Sequence, residues 1–194
     1  MRRRVFPLLA AVLFATAAWA QGSEWQIDPA HTTVAFTVRH MGISNVHGRF
    51  TKVSGTANID DSDMTKSSVN AIIDIGSITT GNDSRDNDLR SPNYFDAAQF
   101  PTMTFKSKSI TKAGDNKLKV VGDLTIKGVT KEVTLDVDGP SSPIKMGPNQ
   151  RRGLSATTSV NRKDFGVGAK TPSAMVGEEI KIEIDAELTQ KAAQ

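Results

Sequence analysis

The sequence predicts an all-β fold, a closed antiparallel β-barrel of about eight strands with one short helical excursion. Three observations lead there. Apolar residues recur with a period of two along most of the chain after residue 20, giving each strand one wet and one dry face. The connections carry turn residues, at Asn58 to Ser62, Gly114-Asp115-Asn116, Gly139-Pro140 and Gly147-Pro148-Asn149, where a parallel sheet would need crossover helices. A single stretch, from Thr79 to Pro101, abandons the alternation. Eight strands is the number at which a closed barrel is just wide enough inside for side chains or one small ligand.

The chain opens on Arg2-Arg3-Arg4, an apolar run from Val5 to Ala15 and the small-residue frame Ala18-Trp19-Ala20. That is the pattern of a secretory signal cleaved after Ala20, which leaves residues 21–194 as one barrel domain in the periplasm. Arg3-Arg4-Val5-Phe6 weakly resembles a twin-arginine signal, though ordinary export is the simpler reading. The apolar run is too short to span a membrane. With no cysteine the chain makes neither disulfides nor a lipid-modified N-terminus, so the mature protein is expected to be soluble, untethered and stabilised by packing alone. Three of the 24 basic residues leave with the signal, and the remaining 21 face 21 acidic ones. Formal neutrality without a basic stripe argues against nucleic acid as a partner.

Along the mature chain, Val34, Phe36, Val38 and His40 share one face of a first long strand, and Met41 to Asn45 reads as its turn. Ile72 to Ile78 reads as an apolar, β-branched strand stopping at Thr79-Thr80-Gly81-Asn82. There Asn82, Asp83 or Ser84 can accept hydrogen bonds from the free N–H groups that open a helix. The following segment, Arg85 to Phe95, has Leu89 as its one aliphatic residue and ends in Tyr94-Phe95, which suits a short polar lid. Pro101 forbids further helix, and Thr102 to Lys106 resumes alternation. Val133, Leu135 and Val137 oppose Thr134, Asp136 and Asp138. The last strand sets Ile180, Ile182, Ile184, Ala186 and Leu188 against Lys181, Glu183, Asp185 and Glu187.

Most catalytic chemistry has no signature here. Three histidines without cysteine, and without a helical pair of ligands, make no metal site, although His40 and His47 flank one turn. No G-x-S-x-G elbow marks a nucleophilic serine. Gly166-Val167-Gly168-Ala169-Lys170-Thr171 lacks the four-residue spacer of a phosphate loop, and Asp136-Val137-Asp138-Gly139 lacks the closing glutamate of a calcium loop. His40, on an apolar face, is either a buried, hydrogen-bonded histidine or a polar anchor for a ligand head. The large residues Phe36, Phe50, Phe100, Phe105 and Phe165 lie on or beside strands, and the small Ala71, Gly122, Ala156 and Thr158 among them leave room for a channel.

Several motifs, in order, carry a family resemblance. Trp25-Gln26-Ile27-Asp28-Pro29-Ala30-His31 comes first, then the strand ending Arg39-His40, then Gly48-Arg49-Phe50. The excursion reads R-D-x-x-L, an aromatic pair with F-D, then F-P-x-x-x-F. Val121 to Thr130 and Val160-Asn161-Arg162-Lys163-Asp164-Phe165-Gly166 complete the series. Essentially the whole chain after residue 23 resembles the YceI-like family of bacterial secreted proteins. Asp88 departs from the family's frequent R-D-x-H-L, so a ligand contact made by that histidine would not carry over.

The resemblance implies a lipocalin-like barrel that binds polyisoprenoids, isoprenyl phosphates, quinones or fatty-acid derivatives in its interior, with no catalytic role and no cofactor besides the lipid. The site it implies comprises Phe36, Val38, His40, Phe50 and Ile73 on the early strands. Arg85, Leu89, Tyr94, Phe95 and Phe100 join from the excursion, and Met103, Phe105, Leu124, Arg162 and Phe165 from the later chain. Arg85 and Arg162 offer guanidinium forks to a phosphate, while Arg85 with Asp86 could instead pin the excursion. A ligand of about forty heavy atoms at roughly −0.3 kcal/mol each would bind at nanomolar level. Transient membrane contact and a homodimer accompany that reading. Its rivals are a stress-related interaction protein with a filled barrel and an enzyme using His40 or Asp88 as acid or base.

Overall fold

The computed structural model describes residues 22–191. The expected signal segment, residues 1–20, lies outside the described residues. Among the described ones no helix is long and apolar enough to cross a membrane.

The strands are β1 (Ser23–Ile27), β2 (Thr33–His40), β3 (Ser44–Phe50), β4 (Val53–Ile59), β5 (Ser68–Asp74) and β6 (Ile78–Thr79). After the helix α1 (Asp83–Arg90) come β7 (Thr102–Gly114), β8 (Lys117–Ile126), β9 (Val129–Asp138), β10 (Ile144–Met146), β11 (Asn149–Asn161) and β12 (Val176–Lys191). β1 and β2 form one interrupted staff, since both pair with β12, while β1 also pairs with β4 and β2 with β3. β3 with β4, and β5 with β6, form two more staves. Counted this way, eight antiparallel staves run up and down in chain order, and β11 on β12 with β12 on β1 and β2 closes the ring. A single β10–β11 hairpin hangs from the rim.

The strand expected from Ile72 to Ile78 is broken. Ile75–Ser77 makes one 3-10 turn in which Ile75 is fully buried, and Ser77 Oγ donates to the Asp74 carbonyl at 2.6 Å. The kink lets the stave leave β7 and turn β6 onto β3, which opens the gap that α1 and the segment to Pro101 roof over. Asn82 caps the helix, its side chain accepting from the Arg85 amide at 3.0 Å.

The base is closed by polar packing. Trp25 is 1 % exposed, and the Arg152 guanidinium lies 4.8 Å from its ring centroid and donates to Asp61 Oδ2 at 2.6 Å. Between this plug and the roof the dry faces of all eight staves converge on one apolar core.

Candidate functional site

That core is hollow. A cavity of about 280 Å³ runs down the barrel axis, walled by aliphatic and aromatic side chains with Thr32, Ser67, Ser68, Tyr94, Thr158 and Arg162 as its polar members. Its emptiness has a local cause. Phe36 stands opposite Gly48 in register, and a Cβ on Gly48 would collide with the Phe36 ring; a Cβ on Gly122 would lie 2.5 Å from Phe105 Cζ. The far edges of two large rings therefore close on glycines in the wall, where any side chain would displace them. Gly122 is thus a seat for Phe105, not the unfilled space the sequence suggests. Ala71, Ala156 and Thr158 do border the cavity.

Twelve of the fifteen residues singled out from sequence lie on the cavity wall: Phe36, Val38, Phe50, Ile73, Leu89, Tyr94, Phe95, Met103, Phe105, Leu124, Arg162 and Phe165. Phe50 links wall and roof, its ring centroid 5.9 Å from Phe36 and 5.8 Å, edge to face, from Phe95. The wall also includes residues not singled out, among them Ile180, Ile182, Ile184 and Leu188 of β12 and Val120 and Leu135. Their clean alternation marked a dry face without saying that the face borders a void.

Three residues lie off the wall. His40 ends β2 opposite Ser44 and Val176, beside a bulge between Val176 and Ile180, and does not border the cavity. It does not meet His47, whose Nδ1 lies 2.9 Å from Thr37 Oγ1. Phe100 packs outside the lumen against the β8–β9 turn, where a Cβ on Gly128 would stand 2.9 Å from its ring. Arg85 is exposed and spends its guanidinium on Thr80, donating through Nε to the hydroxyl at 2.7 Å and through Nη2 to the carbonyl at 2.9 Å.

Asp86 joins Arg85 at Thr80 without pairing with it directly. Its buried carboxylate accepts from the Thr80 amide at 2.8 Å and hydroxyl at 2.5 Å. Burial pushes this carboxyl up, yet the Thr80 donors prevail and hold it below the usual aspartate range. Asp88 is solvent-exposed on α1. Neither His40 nor Asp88, the two candidate acid–base groups, borders the cavity.

Arg162 has a different fate from the one its motif suggests. It is 4 % exposed, and all five guanidinium N–H donors go to backbone carbonyls. Nε donates to Gly177 at 2.9 Å, Nη1 to Val167 at 3.0 Å and Gly168 at 2.5 Å, and Nη2 to Thr171 at 3.0 Å and Val176 at 2.9 Å. The glycine-rich loop after Phe165 thus turns carbonyls inward around a cation, the reverse of a phosphate loop's inward amides. Arg162 organises the roof and has no donor left for a headgroup.

Asp28, His31 and Glu187 place three ligand-type atoms within 4.8 Å at the barrel's outer surface. Arg151 already sits among them, 2.8 Å from Asp28 Oδ2 and 3.1 Å from Glu187 Oε1. The His31 hydrogen bond, with Arg151 and despite burial, keeps the Asp28 carboxyl below its ordinary range. The cluster reads as a charge network tying β1 to β11 and β12.

A family model for the YceI-like domain matches residues 25–188. The chain belongs to the YceI-like family. Among YceI-like relatives, a UPF0312 protein of Vibrio parahaemolyticus is 32% identical over 185 residues, spanning 94% of this chain and 98% of the relative. One of Staphylococcus aureus is 35% identical, spanning 86% and 98%. Solved YceI-like structures agree on the barrel. Burkholderia cenocepacia BcnA superposes with a TM-score of 0.73 at 27% identity, covering 83% of this chain and 98% of its own. The Campylobacter jejuni YceI protein gives 0.71 at 31%, covering 79% and 90%. A Saccharophagus degradans domain, described as polyisoprenoid-binding and implicated in plant cell wall breakdown, gives 0.64 at 16%, covering 84% and 97%. At that identity the likeness speaks to the fold.

Proposed function

We propose that this protein is a periplasmic carrier or sequestering protein for an amphiphilic isoprenoid-type lipid, whose tail it encloses in the barrel. The observation that carries this reading is the cavity. Packed protein interiors hold few voids larger than a water molecule, whereas this barrel keeps about 280 Å³ of apolar space open by seating two phenylalanines on glycines. An apolar tail entering it leaves water, and each buried methylene contributes about 0.8 kcal/mol. The Saccharophagus degradans domain, named for polyisoprenoid binding, lends the same reading support.

Cavity size and charge narrow the ligand. The volume lies just under the range of roughly 300–1,000 Å³ usual for ligand pockets, so a lipid of about forty heavy atoms is too large to be wholly enclosed. A short isoprenoid fits better, as does a longer one with its head outside the lumen. Arg85 and Arg162 are engaged by protein oxygens, which favours a quinone or alcohol head over an isoprenyl phosphate. For delivery, exposed Met41, Ile43 and Met175 gather at the roof end, flanked by exposed Arg39 and Lys170, and would meet an anionic membrane surface. The rival of a filled barrel is disfavoured by the void. An enzyme would need an acid or base on a wall that holds neither His40 nor Asp88.

Titration with geranylgeraniol tests the reading. About twenty-one heavy atoms at roughly −0.3 kcal/mol each give a Kd in the tens of micromolar. Ala156→Phe, which grows into the cavity, is expected to weaken binding at least about tenfold while leaving the unfolding midpoint unchanged or higher. Equal binding by both proteins would place the lipid elsewhere.

A further inference from the structure

The barrel wall is unevenly zipped. β8 and β9 pair at ten positions and β11 and β12 at thirteen, yet β9 meets β11 only at Asp138–Ser155, Val137–Ala156 and Asp136–Thr157. Toward the roof the two strands part. Among the described residues one bond crosses there, Thr158 Oγ1 donating to the Thr134 carbonyl at 2.8 Å. The seam holds a solvent-open groove of about 530 Å³, and four of its lining residues, Val133, Thr158, Val160 and Phe165, also wall the interior cavity. The two spaces share those side chains as their partition.

The roof is the harder way in, because it is fastened on three sides. Arg90 donates to the Gly76 and Ile78 carbonyls at 3.1 and 2.8 Å. Lys127 Nζ donates to the Pro92 carbonyl at 2.8 Å, and the Gly168 amide to the Asn93 carbonyl at 3.0 Å. Lifting the roof breaks several bonds, whereas widening the seam breaks one and swings a few side chains.

The seam's chemistry also selects. Its charged groups are Lys131 with Glu132, Asp136 and Asp164. Glu132 and Asp136 are bonded to Lys108 and Lys119, each at 2.7 Å. Lys131 and Asp164 offset one another, so no positive charge is in surplus for a phosphate, while Thr134 and Ser159 present hydroxyls.

Resting on the lipid-binding reading above, we propose that the seam between β9 and β11 is the barrel's side entrance and the seat of the lipid head. The head it takes is uncharged and hydrogen-bonding, of the alcohol or quinone class. The tail passes between Val133 and Val160 into the lumen and the head stays between the parted strands.

Thr134 and Ser159 both line the seam, beyond the last paired residues Asp136 and Thr157. Because the chain has no cysteine, Thr134→Cys with Ser159→Cys can be locked by oxidation and reopened by reduction. Uptake of geranylgeraniol should slow roughly tenfold or more in the oxidised form and recover on reduction, within the one to three decades over which on-rates of variants move. If the bridge does not close, Ser159→Cys carrying a bulky maleimide adduct should slow uptake likewise. The unmodified protein should bind geranylgeraniol about tenfold tighter than geranylgeranyl pyrophosphate, whose charge would go unpaired in the seam. Unchanged uptake after locking or labelling overturns the entrance, and preference for the pyrophosphate overturns the head class. If the unmodified protein binds neither lipid, the lipid-binding reading itself falls and the entrance with it.

Discussion

Arg162 shows how far a residue's chemistry depends on what its neighbours leave free. A guanidinium that holds five carbonyls has become part of the backbone network of the roof. Arg162→Lys keeps the charge but has three donors and no planar fork, so some of those carbonyls lose their partner. The expected cost is about 3 kcal/mol in denaturant unfolding, with lipid affinity falling only as far as the roof loosens. A variant of wild-type stability with abolished binding would instead make Arg162 a ligand contact. Thr80→Val removes the hydroxyl that both Asp86 and Arg85 use and leaves a buried carboxylate short of a donor; about 2 kcal/mol should be lost. Sequence pointed to Arg85, Asp86 and Arg162 through their motifs, but side-chain bonding partners such as the Thr80 hydroxyl or the Gly168 carbonyl are set by tertiary folding. A motif therefore marked the residues without deciding between ligand and scaffold.

At the scale of elements, glycines within strands set the lumen. Gly48→Ala would drive a methyl into the Phe36 ring and displace it. We expect a cost of about 1–3 kcal/mol and a loss of geranylgeraniol binding, read from thermal unfolding and titration of the same sample. A second element-scale prediction concerns acid. Glu178, at the start of β12, bonds Lys163, Ser173 and Asn161, and these partners pull its carboxyl from an ordinary 4.5 down to about 2. A depressed carboxyl contributes stability that is complete above its unfolded value and is lost as pH falls toward the folded one. Stability should therefore hold to about pH 5 and decline between there and pH 2. Glu178→Gln should flatten part of that decline, and an unchanged acid limb would show that the network does not tie β12 to the roof. Strand periodicity made most staves legible, including the whole dry face from Ile180 to Leu188. It could not show the break at Ile75–Ser77, because three residues of 3-10 turn carry the same apolar, small-residue signature as strand. It also carried His40 inward, since a bulge on the partner strand leaves no mark in β2's own alternation.

At the scale of the whole molecule, the barrel divides its tasks among base, roof and wall. Trp25 and Arg152 seal one end, the bonded excursion covers the other, and the short β9–β11 ladder leaves the wall weakest at one seam. Closure and strand number were readable from chain-wide alternation. The seam was not, because β9 and β11 alternate as cleanly as their neighbours and differ only in how few of their residues meet. Whether the lumen holds lipid is decided by solvent extraction of the protein purified from its native host cells, followed by mass spectrometry. A near-stoichiometric isoprenoid carrying an uncharged head is expected. A stable, correctly folded protein that yields no lipid, or yields only polar compounds, would contradict a lipid-holding lumen.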